Sequence, residues 1–325
     1  MNLPVYSQPA LPDLPCFLNG EFTTLPHAKI SVMDRGFIFG DGVYEVVPIY
    51  AGAPFRFQQH LARLGRSLAE LRIKNPYSAQ QWCKIVSQLV ANYSHTILES
   101  NHDSSNISLN TPSKTPDQLI YIQITRGVAL RDHVMPEHIA PTVFAMANLL
   151  KMPTAAQRQA GVACVTAEDF RWQKAHIKAT SLLGAVFARQ ISFDAGALET
   201  VMFRDGFLSE AAASNVWVVQ NGRLLGVPKD HLVLEGIRYG LFAELCAHTG
   251  LTLELRRITR AEVLAADELL LSSATKEVLA ITTLDGQAVG AAAHKGKPGP
   301  VYNKLYAAYQ DAKAAEIAAF ARDLV

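Results

Sequence analysis

Arg171-Trp172-Gln173-Lys174-Ala175-His176-Ile177-Lys178 leads into an apolar stretch, Ser181 to Phe193, and beyond it comes Leu208-Ser209-Glu210-Ala211-Ala212-Ala213-Ser214-Asn215. A lysine ahead of a helix, followed by a carboxylate ahead of a β-rich segment, could hold an aldehyde cofactor at both ends. The amine would form a Schiff base, and the carboxylate would fix the proton on a ring nitrogen. Each residue also has a plainer reading. Lys178, Leu182 and Val186 align at helical spacing if the helix begins early, and a lysine there can bury its stem and snorkel its tip. Glu210, after the turn at Asp205-Gly206, reads equally as a loop carboxylate.

Around this pair the second half alternates strands and helices. Strands are expected near Val162–Ala167, Thr200–Arg204, Asn215–Gln220, Leu269–Ser272 and Leu279–Leu284. The Ser181–Phe193 helix should bury Leu182, Leu183, Val186, Phe187 and Ile191, with Thr180 or Ser181 as its cap. A helix follows Gly236 and stops at Gly250, and a last one spans Val301–Ala321 after Pro298-Gly299-Pro300.

The first half opens with a hairpin turning at Asn19-Gly20. A strand follows at Val43–Tyr50. Phe57, Leu61, Leu64, Leu68 and Leu71 then mark a helix over Phe57–Arg72, with a second over Tyr77–Tyr93. Ser94–Gln118 loses periodicity and reads as an exposed loop. Leu119–Arg126 alternates as a strand, and Thr142–Ala147 is another. This divides the chain into an N-terminal α/β domain over 1–147, a linker over 148–154 and a larger domain over 155–325.

Composition sets outer bounds. The chain has 325 residues, 49% hydrophobic and 18% charged, which suits buried cores rather than disorder. A net charge of +1 with no long basic run speaks against general nucleic-acid binding. Cys16, Cys83, Cys164 and Cys246 are far apart in sequence and lack metal-site or CxxC spacing, so no metal is expected. Met1–Cys16 is proline-rich without Lys or Arg, unlike a secretory signal. No apolar run approaches the ~18 residues of a membrane span. A soluble cytoplasmic protein is the expectation.

Several segments could serve a small anionic ligand. Gly236-Ile237-Arg238 opens a helix whose free N–H groups and dipole suit a phosphate, although many helices begin this way. Ser273 and Thr275 could add hydroxyl donors. Arg63 lies about 200° around its helix from Leu61, off the apolar stripe, and should be solvated unless a ligand lies there. Arg131-Asp132-His133 could clamp a carboxylate, but reads first as an exposed loop. Gly40-Asp41-Gly42-Val43-Tyr44-Glu45 reads as a turn and strand, because neither glycine-rich phosphate spacing is present. Tyr44 would face a pocket or a core.

Taken together, Asp34-Arg35-Gly36…Gly40-Asp41-Gly42-Val43-Tyr44-Glu45, His60-Leu61-Ala62-Arg63-Leu64, Arg171-Trp172…Lys178 and Glu210…Ser214-Asn215-Val216 resemble the class IV aminotransferases, enzymes of pyridoxal phosphate (PLP) fold-type IV. Gly236-Ile237-Arg238 and Ser272…Val278 extend the match, which runs collinearly from about Phe17 to Gly286. The resemblance implies an α+β fold with a small N-terminal domain and a larger pseudo-barrel domain, assembled as a homodimer. It implies that Lys178 is the Schiff-base lysine and proton shuttle and that Glu210 partners the pyridine nitrogen. Arg63, Gly236, Ile237, Arg238, Ser273 and Thr275 would form the phosphate cup. Ala274 stands where relatives often carry a phosphate-binding threonine.

Within the family the chain looks most like the D-amino acid aminotransferases. Arg131 and His133 match a substrate-carboxylate clamp reaching in from the neighbouring subunit, and Tyr44 matches a third contact. Arg171 matches an arginine near the cofactor's phenolic oxygen. Leu183 stands where branched-chain enzymes usually carry a tyrosine. The expected activity is ping-pong transamination between D-alanine and 2-oxoglutarate. The alternatives are a branched-chain L-aminotransferase, an aminodeoxychorismate lyase, an amine transaminase, or a non-catalytic small-molecule binder on the same scaffold.

Overall fold

A computed structural model describes residues 9–102 and 116–323. The first residues of the N-terminal stretch (1–8) and the centre of the expected Ser94–Gln118 loop (103–115) lie outside the described residues.

The chain starts with the hairpin β1 (Pro15–Leu18) and β2 (Glu21–Thr24), then a single helical turn, α1 (Arg35–Phe39). Asp34 caps α1 by accepting the Gly36 N–H at 2.8 Å, and Gly40 closes it in the left-handed region, at φ 64°. Then come β3 (Gly42–Tyr50), the short β4 (Ala53–Pro54), α2 (Phe57–Glu70), α3 (Ala79–His102), β5 (Gln118–Thr125) and β6 (Thr142–Leu149). The strands form one antiparallel sheet in the order β2-β1-β6-β5-β3-β4. The alternation in β5 has its expected effect: Ile120, Ile122 and Ile124 are fully buried in a core shared with α2 and α3, while Tyr121 and Gln123 lie on the other face. Burying Leu64 and Leu68 of α2 in that core contributes about 1.5–3 kcal/mol each.

Helix α3 runs nine residues past Tyr93, into the segment expected to be a loop. Its polar residues are satisfied along the helix itself: Ser94 Oγ donates to the Val90 carbonyl at 2.8 Å, and Thr96 Oγ1 to the Asn92 carbonyl at 3.0 Å. Gln118 Nε2 donates to Ser94 Oγ at 2.7 Å, tying the helix to the start of β5.

Beyond β6 follow α4 (Ala155–Ala160), β7 (Val162–Glu168), α5 (Leu183–Asp194), β8 (Glu199–Arg204), β9 (Phe207–Ala211), β10 (Asn215–Gln220) and β11 (Arg223–Gly226). Then come α6 (Arg238–Thr249), β12 (Leu253–Leu255), α7 (Arg260–Leu264), β13 (Glu268–Ser273), β14 (Glu277–Leu284), β15 (Gln287–Ala288) and α8 (Pro300–Asp323). These strands make a second sheet ordered β12-β11-β10-β13-β14-β7-β8-β9, with β15 on β14. The protein is thus α+β. Its larger core lies between this sheet and α6 and α8, around Trp217, Phe242 and Tyr302.

Two connections matter for function. Strands β7 and β8 pair in parallel, so the chain between them must cross over rather than turn back. That crossover carries Arg171, Lys178 and α5. Strands β8 and β9 form a hairpin at Asp205-Gly206, which places Glu210 on a strand rather than in a loop.

Three local expectations are corrected. Helix α5 starts at Leu183, so Lys178 precedes it in an extended segment bridged to β3 through Ala179 and Val43. The Thr180 and Ser181 hydroxyls do not cap α5; both donate to the Gly40 carbonyl, at 2.8 and 2.9 Å. The apolar face of α5 is not buried in this chain: Leu183 is 68% exposed, and Val186 and Phe187 are each 58% exposed. Hydrophobic periodicity says that a face will be covered, not that the same chain will cover it.

Among the described residues no helix is long and apolar enough to cross a membrane.

Candidate active site

A cavity of about 1150 Å³ opens where the Lys178 crossover, β9, the start of α6 and the β13–β14 turn meet α2 and β3. The expected cofactor residues all line it, and so does Tyr44.

Lys178 is anchored by its backbone. Its carbonyl accepts the Tyr44 N–H at 3.0 Å, and its own N–H donates to Ser67 Oγ at 3.3 Å. The side chain is then free to enter the cavity, with Nζ 4.0 Å from the centroid of the Tyr44 ring. The hydroxyls on Gly40 fasten the same crossover from the other side. A Cβ at Gly40 would stand 3.0 Å from Ser181 Oγ and 3.2 Å from its Cα, so glycine serves both the close approach and the left-handed turn.

Glu210 is 5% exposed. Its carboxylate accepts Arg171 Nη1 at 2.5 Å, Asn215 Nδ2 at 3.0 Å and the Leu234 N–H at 3.2 Å. Burial pushes this carboxyl above the ordinary range, and the Arg171 guanidinium, pulling the other way, offsets only part of that. Arg171 spends its other edge on Asp169 rather than on open cavity.

At the far side stands the N-terminus of α6. Gly236 packs so closely that a Cβ would lie 2.1 Å from Asn215 Oδ1. The helix begins without a side-chain cap, leaving its first N–H groups for a ligand. Arg238 is 2% exposed, and its Nε and Nη1 find no partner among the described residues. Its Nη2 reaches the Ala274 carbonyl at 3.4 Å. The guanidinium stands between the Phe55 and Tyr309 rings, at 5.3 and 5.6 Å from their centroids. A buried cation without an anion is costly and calls for one. Ser273 Oγ accepts the Lys276 N–H at 3.1 Å and lies 3.5 Å from Thr275 Oγ1, so both hydroxyls sit on one turn at the cavity wall.

Arg63 corrects the periodicity argument: it is 6% exposed, not solvated. Nε and Nη2 donate to the two oxygens of Glu45 at 2.7 and 2.8 Å, and Nη1 to the Glu235 carbonyl at 3.1 Å. His60 Nδ1 completes the cluster, 2.7 Å from Glu45 Oε2. Burial would raise the Glu45 carboxyl, but Arg63 and His60 outweigh it and hold it well below the usual carboxylate range. Burial also drives His60 down to about 4, against the pull of Glu45, so the ring is neutral near pH 7 and Nδ1–H is the donor.

This cluster predicts an acid-sensitive fold. An unfolded histidine titrates near 6.5, so between about 6.5 and 4 the unfolded chain takes up the extra proton. Stability is complete above that window and lost as pH falls through it, with Glu45 adding to the loss below the ordinary carboxylate range. From about pH 8 to about pH 5, His60 alone is worth roughly 2 kcal/mol. Urea midpoints across this range should fall in the native protein and fall less steeply in His60→Gln. Equal slopes would contradict the assignment.

Arg131 and His133 do not line this chain's cavity. They sit in an exposed loop on the Phe39 ring, Arg131 at 5.5 Å and His133 at 5.5 Å between centroids. Phe39 itself lines the cavity, so the pair stands just outside its mouth. Asp169, Glu45, His60 and Asn215 had drawn no role from sequence. Asp169 carried one local signal, an aspartate two residues before an arginine, which can hold both its backbone and its side chain. The others depend on long-range packing.

The residues present fit a flat aromatic aldehyde bearing a phosphate. A buried carboxylate could face a ring nitrogen, an amine could meet the aldehyde, and a helix start could take the phosphate beside a buried guanidinium, two of whose nitrogens find no partner among the described residues.

Residues 42–284 match the sequence family described as Amino-transferase class IV. The chain is similar to the D-alanine aminotransferase of Bacillus licheniformis, 33% identical over 92% of this chain and 97% of that one. It is similar also to the D-alanine aminotransferase of Listeria monocytogenes, 32% identical over 89% and 92%. A solved structure of the branched-chain aminotransferase from the archaeon Thermoproteus uzoniensis, with norvaline, superposes with a TM-score of 0.74 at 21% identity, covering 91% and 93%. A PLP-bound hypothetical aminotransferase from Mycobacterium tuberculosis superposes at 0.72 and 19% identity, over 92% and 98%. At such identities the structural likeness speaks for the fold alone.

Proposed function

Because this chain belongs to the class IV aminotransferases, PLP-dependent enzymes of fold-type IV, we propose that it carries the amino group of D-alanine to 2-oxoglutarate. The observation that carries this reading is the similarity to D-alanine aminotransferases across nine-tenths of the chain. Leu183, standing where branched-chain relatives usually have a tyrosine, agrees with it.

When bound, PLP supplies the aldehyde that takes up the amino group and the electron sink for charge left on the substrate α-carbon. The protein's own residues do the rest. Glu210, fixed by Asn215 and the Leu234 N–H, would face the ring nitrogen and keep a proton on it. Lys178 Nζ would take the proton from the substrate α-carbon as general base and, as general acid, would give it up at the cofactor's C4′ carbon. The α6 N-terminus, Arg238, Arg63 and the Ser273–Thr275 turn bind the phosphate. The same groups serve the two half-reactions in turn.

We assign the carboxylate clamp to Arg131 and His133 of a second copy, with Tyr44 of this one. The exposed apolar face of α5, together with exposed Phe37, Leu130 and Val134, supports a homodimer whose interface lies at the cavity mouth. The chain's thiols are free, which suits a cytoplasmic location.

This arrangement has a specific consequence. Lys178→Ala and Arg131→Met should each be inactive on D-alanine. Reassembled together, the mixed dimers carry one intact site in two, so activity should recover to about one quarter of native. No recovery, with mixed dimers verified by mass spectrometry, would place the clamp within one chain. Racemic alanine with 2-oxoglutarate tests the substrate: chiral chromatography should find the D-enantiomer consumed and the L-enantiomer left. The opposite outcome would overturn the D-specific reading.

A further inference from the structure

Glu210 does not stand alone in the cavity wall; a second carboxylate reaches it through an arginine. Arg171 Nε and Nη2 donate to Asp169 Oδ1 and Oδ2, both at 2.9 Å, and the Arg171 backbone N–H returns to Asp169 Oδ1 at 3.1 Å. Arg204 Nη2 braces the same unit, 3.1 Å from Asp169 Oδ2 and 2.8 Å from the Arg171 carbonyl. The guanidinium is therefore clamped along one edge, and its remaining Nη1 is aimed at Glu210 Oε1, 2.5 Å away.

We propose that Asp169 and Arg171 are positioning residues for the ring-nitrogen contact, holding the Glu210 carboxylate as an anion so that the shared proton stays on the cofactor's nitrogen. The inference rests on the PLP reading above and deepens it.

The physical reason is competition for one proton. A carboxylate this deeply buried favours its neutral form, and a neutral Glu210 would leave the ring nitrogen without its counter-ion. Arg171 touches Glu210 directly, and any ring nitrogen beyond the carboxylate is farther from it. Attraction to the anion then exceeds repulsion of the pyridinium, and the charge-separated arrangement wins. An ionised carboxylate has about four acceptor directions. Arg171 Nη1 sits on Oε1, Asn215 Nδ2 on Oε2, and the Leu234 N–H is shared between the two, so a ring N–H would share or displace that bifurcated contact. Asp169 carries an opposing charge, so its contribution is orientation. Burial alone would raise its carboxyl, but the Arg171 contacts bring it below the ordinary range, and it remains an anion that can keep the fork fixed.

The test uses holoenzyme reconstituted with cofactor labelled with nitrogen-15 in the ring, followed by NMR. In the native protein the resonance should lie at the protonated position. Arg171→Met should move it towards neutral pyridine and lower kcat for D-alanine about tenfold or more, with KM little changed. Asp169→Asn, which keeps shape, should move it part of the way, and Arg171→Lys should shift it less than Arg171→Met. If the native resonance is protonated and stays there in Asp169→Asn and Arg171→Met, the inference fails and the cofactor reading stands, even if both variants melt earlier. A native protein that takes up no labelled cofactor overturns both.

Discussion

Lys178→Ala should lose transamination by about 10⁴-fold, the upper range for a positioned general acid–base group, while remaining folded. The fold should survive because Lys178 is built into the protein through its backbone. The hydrogen bonds to Tyr44 and Ser67 involve main-chain atoms that alanine retains. The side chain's contact with the Tyr44 ring is worth about 0.5–1 kcal/mol at a partly exposed site. Melting temperature should therefore hardly move. Borohydride, which should fix the cofactor to the native protein through this amine, should fix none in the variant. Full turnover in Lys178→Ala would remove the basis of the proposed chemistry.

Glu210→Gln should lower turnover by roughly 10²–10³-fold, comparable to removing one preorganised electrostatic contact in other active sites. Glutamine keeps the size of the side chain and can still accept from Asn215 and Leu234. It cannot offer a negative charge to a ring nitrogen. The loss should fall on kcat rather than on KM, since that charge matters most when the α-carbon carries its electrons. Arg171 would still be held by Asp169, so the buried guanidinium is not left without a counter-ion. Matched melting curves for native and variant protein would separate this effect from unfolding. A drop of less than about threefold in kcat would count against a pyridinium partner at this position.

The sequence was most legible where local rules decide the outcome. The Asn19-Gly20 hairpin, the alternation of β5, the leucine stripe of α2 and the Gly250 stop of α6 each follow from residues within one short segment of chain. Lys178, Glu210 and Gly236 could be singled out as chemistry-bearing types. That they share one cavity needed the parallel β7–β8 crossover and the β8–β9 hairpin. Periodicity alone sends Arg63 to solvent unless a ligand lies there, because its partner, Glu45, lies 18 residues away on another element. A charged residue off the apolar stripe is solvated unless tertiary structure brings it an opposite charge, and here it does. Helix α5 failed in the opposite sense. Its apolar face is real, but it looks out of this chain. Asp169 escaped notice because its importance is relayed through Arg171.

The same contrast explains why substrate choice is a finer matter than cofactor chemistry. The groups that would handle the cofactor lie within a single chain, tied by hydrogen bonds of 2.5–3.4 Å. The proposed carboxylate clamp lies on an exposed loop outside the mouth of that cavity. Under the proposed assembly, enantiomer preference would depend on how a second copy presents Arg131 and His133 against Tyr44.

One spectroscopic measurement reaches cofactor and enantiomer together. Purified native protein loaded with PLP is mixed, without any acceptor, with D-alanine in one cell and L-leucine in another, and the visible band of the bound aldehyde form is followed. D-alanine should discharge the band in a single half-reaction, pyruvate should appear in equal amount, and L-leucine should leave the band standing. Discharge by L-leucine with D-alanine inert, or the absence of any band that borohydride can bleach, would contradict the account.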